Sequence, residues 1–522
     1  MFIIDIIVFI LVLGVIILIH EAGHFYFAKK AGILCHEFAI GMGPALYQKR
    51  KGETIYSIRS IPIGGFVSMA GESISDALIK KEQVIGIRLN TQGHISEIIL
   101  SEEIPSDLKG IVKSYDLYGK DFNPLFITLD INGSLMEYTV TRDAIYRLSE
   151  KREMWITPAE KSFESKTLIQ RFLVIFGGPM MNFILALFLF FIVGFFMTKP
   201  NLDDNTVSAV GENSPAEILG IESGDQITMI NGTPIDSWSD LSEVMANLNS
   251  MIVTVRYLTD GIETTESTVP TVIIQTIGIS NVNPDGTRES SSPTIGSAFG
   301  RAASDGQLES GDLVNSIRFN ETTHFITSWT DIIDLMTTSD ATGTIEIGYT
   351  RDGLQGTATY EVISKRALEK LGYQDIIFQI GVTPTASFDL GYTLTYPFQA
   401  FYSNTSQVFQ TIGLLFDRSE NLGIGDLSGP VGIFTLVSST TSQGLIAILG
   451  FTAFLSINIG LLNLMPIPAL DGGRLVFLGI EAITKKPLNR KLENTINNVM
   501  FFLLLGLFVF VTYNDIFRLI RG

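Results

Sequence analysis

His20-Glu21-Ala22-Gly23-His24 sets two imidazoles four residues apart, with a carboxylate beside the first. Residues four apart share one face of a helix, so both rings can reach a single ion. Glu21 borders that face and can take a proton from a water on the ion. The pentapeptide ends an apolar run that begins at residue 2. Burying two histidines and a carboxylate near a bilayer is costly unless they have partners. The bland alternative is a polar cap at the membrane edge, with these side chains snorkelling toward water.

A tetrahedral catalytic zinc takes three protein ligands and keeps a fourth position open. The chain has one cysteine, Cys35, and five histidines, His20, His24, His36, His94 and His324, so a cysteine-based site is excluded. The third ligand must be distant in sequence but at similar membrane depth. Asp471, in Leu470-Asp471-Gly472-Gly473, is the best candidate. Pro466 and Pro468 precede it in an apolar context. Proline breaks helices, and broken backbone at membrane depth is tolerated only where it lines a protein cavity. A plain Asp-Gly-Gly turn is the competing interpretation.

The elements that must position these residues read as membrane helices. Of the 522 residues, 46% are hydrophobic and only 17% charged, and mean hydropathy is +0.31. Apolar runs at about 2–19 (continuing to residue 28), 172–197, 445–464 and 499–511 each approach the ~20 residues that span a bilayer, alone or with their flanks. Asp5 is the only early charge, which does not suit the basic start of a secretory leader. The net charge of −18 argues against a nucleic-acid partner.

Loop charges give an orientation. Lys29, Lys30, Lys49, Arg50, Lys51 and Arg59 follow the first run, Lys166 and Arg171 precede the second, and Lys485, Lys486, Arg490 and Lys491 lie between the last two. The positive-inside rule puts these loops in the cytoplasm and the segment at about 199–440 outside, although Arg518 and Arg521 weigh the other way. His24 and Asp471 then fall at the cytoplasmic ends of their spans.

The outside segment repeats itself. Glu222-Ser223-Gly224-Asp225 returns as Glu309-Ser310-Gly311-Asp312, and Ser237-Trp238-Ser239-Asp240 as Ser328-Trp329-Thr330-Asp331. Asp260-Gly261 returns as Asp352-Gly353, and Gln275-Thr276-Ile277-Gly278-Ile279 as Phe378-Gln379-Ile380-Gly381-Val382. Order is kept throughout, so each copy is one structural unit of short strands, turns and an amphipathic helix. Residues 281–293 read as a linker between the copies.

The stretch at 214–235 resembles the PDZ domains of bacterial membrane and periplasmic proteases, the second copy being more divergent. Taken with His20–His24 and Asn463-Leu-Met-Pro466-Ile-Pro468-Ala-Leu470-Asp471-Gly472-Gly473, the chain resembles the site-2 protease family of intramembrane zinc metalloproteases, in particular its bacterial RseP-like branch with tandem PDZ domains. The resemblance also covers Gly178-Pro179-Met180-Met181-Asn182, Gly41-Met42-Gly43-Pro44 and the strand-like stretch Thr54–Met69. It implies a multi-pass α-helical membrane protein with four transmembrane helices, a membrane-associated β-hairpin and two inserted α+β PDZ-like domains. It implies Zn2+ on His20, His24 and Asp471, and Glu21 as general base and then acid. It assigns Asn463, Asn458, Pro466 and Pro468 to substrate binding, a helix–helix hydrogen bond being the alternative for each asparagine.

The expected organisation is 1–72 for the first span, the His-Glu motif and the hairpin, 73–165 for a cytoplasmic insert, and 166–199 for the second span. The PDZ-like domains follow at 200–280 and 294–385, an extracytoplasmic amphipathic region at 386–440, and the last two spans at 441–522. The expected activity is hydrolysis of peptide bonds within transmembrane segments of single-span proteins already trimmed outside the membrane. The expected place is the cell membrane, with the repeats extracytoplasmic and the active site near the cytoplasmic face. A membrane metal transporter would also use His20, His24 and Asp471, but it would not need Glu21 or two peptide-binding units. A non-proteolytic PDZ scaffold is the remaining alternative.

Overall fold

The computed structural model describes residues 2–71, 77–150, 152–417, 420, 423, 425, 427–486 and 489–521. The expected boundary between the first domain and the insert, at 72 and 73, lies outside the described residues, as does part of the 386–440 region. The chain forms two compact units, Met1–Leu189 with Phe434–Leu507, and Phe190–Ile433 with Phe508–Gly522.

The first unit is built on helices. α1 (Phe2–Lys30), α2 (Leu168–Phe196), α3 (Leu445–Leu464), α4 (Asp471–Thr484) and α5 (Arg490–Arg521) follow in chain order. Among the described residues, α1, α2, α3 and α5 are long and apolar enough to cross a membrane. Their outward faces carry exposed apolar side chains such as Ile7, Leu11, Ile169, Phe188, Phe501 and Phe502, which a lipid solvent tolerates. Two differences from the expected spans stand out. α5 extends well beyond 499–511 at both ends, and the amphipathic α4 was not anticipated. Its 14 residues are too few and too polar to register as a span.

After α1, β1 (Cys35–Lys51) and β2 (Thr54–Met69) form the expected hairpin, folded back on itself. Residues near Phe38 pair with both Tyr56 and Val67, while Gln48 pairs with Ser57, so the two long strands make four lanes. The first lane, Ala45 to Lys51, is an edge.

The segment expected as an insert at 73–165 folds, among its described residues, into a small barrel. β3 (Val84–Leu89), β4 (Ile95–Ile99), β5 (Leu108–Asp116), β6 (Leu125–Ile131), β7 (Ser134–Ser149) and β8 (Arg152–Trp155) lie in the order β4-β3-β5-β6-β7-β8. A parallel pairing of β4 with β7 closes the first five into a ring around Ile85, Ile87, Ile98, Ile127, Leu129 and Tyr146. The barrel holds the far turn of the hairpin. Arg50 donates to the Glu153 carboxylate at 2.5 Å and to its main-chain oxygen at 2.6 Å, and Lys161 pairs with Glu53.

The second unit contains both repeats. Their shared letters perform the same local tasks. Ser237 and Ser328 cap the helices Trp238–Ala246 and Trp329–Thr338 by accepting from the main chain of Asp240 and Asp331. Asp225 and Asp312 each accept from the main-chain N–H three residues earlier, at 2.9 Å. Asp260-Gly261 and Asp352-Gly353 make matching hairpin turns.

The repeats do not follow one another as the expected boundaries would have it. Val207–Val210, at the start of the first copy, pairs with Val382–Pro384, at the end of the second. Gly211 and Ala216 donate to the carbonyls of Gly381 and Ile380, each at 2.8 Å. Ile279–Ser280, at the end of the first copy, pairs instead with Ser297–Ala298 of the second. The two copies thus exchange their closing strands, and the second is nested within the first. Residues 281–293, expected as a linker, are tied in at Asn281, which is fully buried and donates from Nδ2 to the main-chain oxygens of Pro270 and Glu289 at 3.0 and 3.1 Å.

Candidate metal centre

α1 is a helix through the whole His-Glu motif, so His20 and His24 project from one face, as their spacing requires. α3 ends at Leu464, and the chain doubles back through Pro466 and Pro468 to start α4 at Asp471. The reversal is tight. A Cβ on Gly472 would lie 2.1 Å from the Met465 oxygen, so only glycine fits beside the aspartate. Asp471 is delivered on the first turn of a helix rather than on a loose turn.

His20 Nε2, His24 Nε2 and Asp471 Oδ2 form a nearly equilateral triangle, with sides of 3.2, 3.2 and 3.3 Å. Ligand atoms about 2.0–2.1 Å from a tetrahedral ion are spaced by roughly 3.3 Å, so these three residues fit zinc with one position left open. Both histidines are buried and Asp471 nearly so. Among the described residues this is the one group of three or more His, Cys, Asp or Glu that could hold a metal. Glu21 is half-buried, and a Cβ on Gly65 of β2 would sit 3.3 Å from its Cγ, so the last lane of the hairpin lies against the motif.

α2 supplies the back wall, and one of its faces serves the cluster three times at four-residue intervals. The Val174 carbonyl lies 2.8 Å from His24 Nδ1. Gly178 leaves room for the rings, because a Cβ there would meet His24 Nε2 at 2.3 Å and His20 Nε2 at 2.8 Å. Asn182 faces His20. α2 comes this near because Gly23 and Gly177 touch backbone to backbone, and a Cβ on Gly23 would meet the Gly177 oxygen at 2.1 Å. Arg171, lower on α2, forks onto Glu481 of α4 at 2.5 and 3.0 Å, which ties the helix that bears Asp471 to the wall.

The structure thus brings together His20, Glu21, His24 and Asp471. Asn463 instead donates to Ile459 on its own helix at 2.9 Å, and Asn458 is half-buried on α3. Neither makes a polar contact with the cluster among the described residues. Pro466 is exposed and Pro468 half-buried in the reversal. The Val174 carbonyl, Gly178 and the Arg171–Glu481 pair were not assigned tasks from sequence. A main-chain oxygen leaves no side-chain signal, and the ion pair joins residues 310 apart.

The profile of peptidase family M50 matches residues 8–507. The zinc metalloprotease RasP of Shouchella clausii is 31% identical over 515 residues, covering 98% of each chain. The protein of the same name from Oceanobacillus iheyensis is 29% identical over 527 residues, covering 98% of this chain and 99% of its own.

Proposed function

Since the chain belongs to peptidase family M50, we propose that it is an intramembrane zinc protease that cuts the membrane segments of single-span proteins. The carrying observation is the triangle of His20 and His24 on the apolar α1 with Asp471 on the first turn of α4, which follows the apolar α3, and Glu21 next in sequence to His20. Zinc held by His20, His24 and Asp471 would supply a Lewis acid there and would acidify a bound water. Glu21 would take up a proton from the attacking water and hand it to the leaving amine. The lane of β2 beside Glu21 offers main-chain hydrogen bonds to a substrate segment that has unwound, replacing those lost from its helix. Asn463, Asn458, Pro466 and Pro468 extend the substrate path along the α3–α4 reversal.

In this reading the active site lies near the cytoplasmic face of the cell membrane and the repeats lie outside. The repeats are PDZ-like units that admit substrates already trimmed outside and exclude those with a bulky outside domain. The measurement that tests the activity is cleavage of a model single-span protein by the Glu21→Gln variant. Zinc content and folding are expected to persist while cleavage disappears. Cleavage at the normal rate sinks the proposal, and transport of zinc unaffected by the change would point to a transporter.

A further inference from the structure

His24 and His20 are held differently. The first has a main-chain carbonyl, Val174, against its Nδ1. The second has a side chain, Asn182, which is fully buried, with its Nδ2 3.4 Å from His20 Nδ1 and its Oδ1 without a partner among the described residues. The backbone at Asn182 is fixed from α3. Ser456 donates to its main-chain oxygen at 2.8 Å, and a Cβ on Gly460 would sit 3.3 Å from the Asn182 Cβ. The amide therefore has little freedom beyond rotation about its last bond.

A ring that gives its Nε2 lone pair to an ion carries its proton on Nδ1 and needs an acceptor there. An amide nitrogen facing that atom cannot accept. The two ends of an asparagine amide have the same shape, so a half-turn puts Oδ1 on the Nδ1 proton without moving anything else. We propose that Asn182 is the positioning residue for His20, accepting from Nδ1–H through Oδ1 and so fixing the tautomer and the plane of the ring. His24 receives the same service from the backbone, which no substitution alters. His20 is the ligand whose outer support depends on a side chain.

The inference rests on the zinc reading above, and full-length protein in detergent separates the two. Zinc affinity is measured by competition with a chromophoric chelator, and the geometry by the visible bands of the cobalt-substituted protein. Asn182→Leu keeps the volume and removes the acceptor, and is expected to weaken zinc 10–100-fold. Asn182→Asp keeps the acceptor, and is expected to hold zinc within about threefold of the unmodified chain while shifting the cobalt bands. A residue needed only for packing gives the reverse order, because leucine suits a buried apolar site and a carboxylate does not. That reverse order overturns the inference. Should Asn182→Leu fail to fold, Asn182→Asp decides alone, and a loss beyond tenfold is the overturning result. If the unmodified chain binds no zinc, it is the zinc reading that has failed.

Discussion

Near Gly23 and Gly177 two helices meet with nothing between their backbones, whereas near Trp329 the nested repeats are filled by a tryptophan that is fully buried and donates from its ring N–H to the Thr294 oxygen at 3.0 Å. The repeats hold one continuous core of Ile, Val, Leu, Met and Trp side chains drawn from both copies. In water, removing apolar area drives packing, so large side chains stabilise. In lipid that drive is absent between helices, and close approach through small residues replaces it. The cluster of His20, His24 and Asp471 uses the second arrangement because its three side chains converge within ångströms. The repeats use the first.

The comparison predicts that the metal unit is broken by adding atoms and the repeats by removing them. The largest effect is expected for Gly178→Val, whose side chain would occupy the ring positions of both histidines. Zinc binding and cleavage should fall to background, with the repeats still folded by limited proteolysis. Retained zinc would mean that the wall is not where the structure has it.

Trp329→Ala should cost the repeats about 3–5 kcal/mol, as a large buried residue truncated to alanine does. Thermal unfolding of the full chain should show a lowered transition while zinc content stays constant. Simultaneous loss of zinc would dissolve the contrast between the two regions.

The nesting itself is testable by cross-linking. Ala209 and Thr383 are register partners and both exposed, so cysteines at these positions should oxidise to a disulfide in the folded chain. A pair at Ala209 and Ser280, which sequential repeats would bring together, should stay reduced. The opposite pattern would restore the order expected from the sequence.

A smaller change is expected for Arg171→Met, which removes the fork onto Glu481. The pair is mostly but not fully buried, so leaving the Glu481 carboxylate without its donor should cost roughly 1–3 kcal/mol of local stability. It should also loosen Asp471, read as faster loss of zinc to a chelator. An unchanged release rate would show that α4 is held in other ways.

The smallest effect concerns the base of the hairpin. His36 lies 3.5 Å from Thr157, and burial pushes its pKa down to about 4. The fold favours the neutral ring, so its contribution is complete above the unfolded value near 6.5 and is lost as pH falls toward about 4. Amide exchange around residues 34–38, corrected for its intrinsic pH dependence, should quicken between pH 6.5 and 4.5. The His36→Asn variant should not show the step.

Much of this was legible in one dimension because it is periodic or contiguous. Apolar runs fix the spans, the four-residue spacing fixes the ligand face of α1, and repeated Ser-Trp and Asp-Gly pairs fix caps and turns. The strand Thr54–Met69 was delimited correctly, since β-branched and aromatic residues with Gly and Pro at the bends mark it locally. Depth in the membrane pointed to Asp471, because the loop charges, by the positive-inside rule, put the ends of the first and third apolar runs on one face of the bilayer.

Only the tertiary structure decided the rest. The approach of Val174, Gly178 and Asn182, one turn apart on a single face, to the two histidines depends on how closely α2 crosses α1, and no letter of α2 states that distance. The closure of the insert by β4 and β7, and the exchange of closing strands between the repeats, are pairings between segments far apart in the chain. Sequence records what each segment prefers locally. Which edge a strand finds is settled by the free energy of the whole assembly, where two nearly equivalent copies offer nearly equivalent edges and the length of the connections chooses between them.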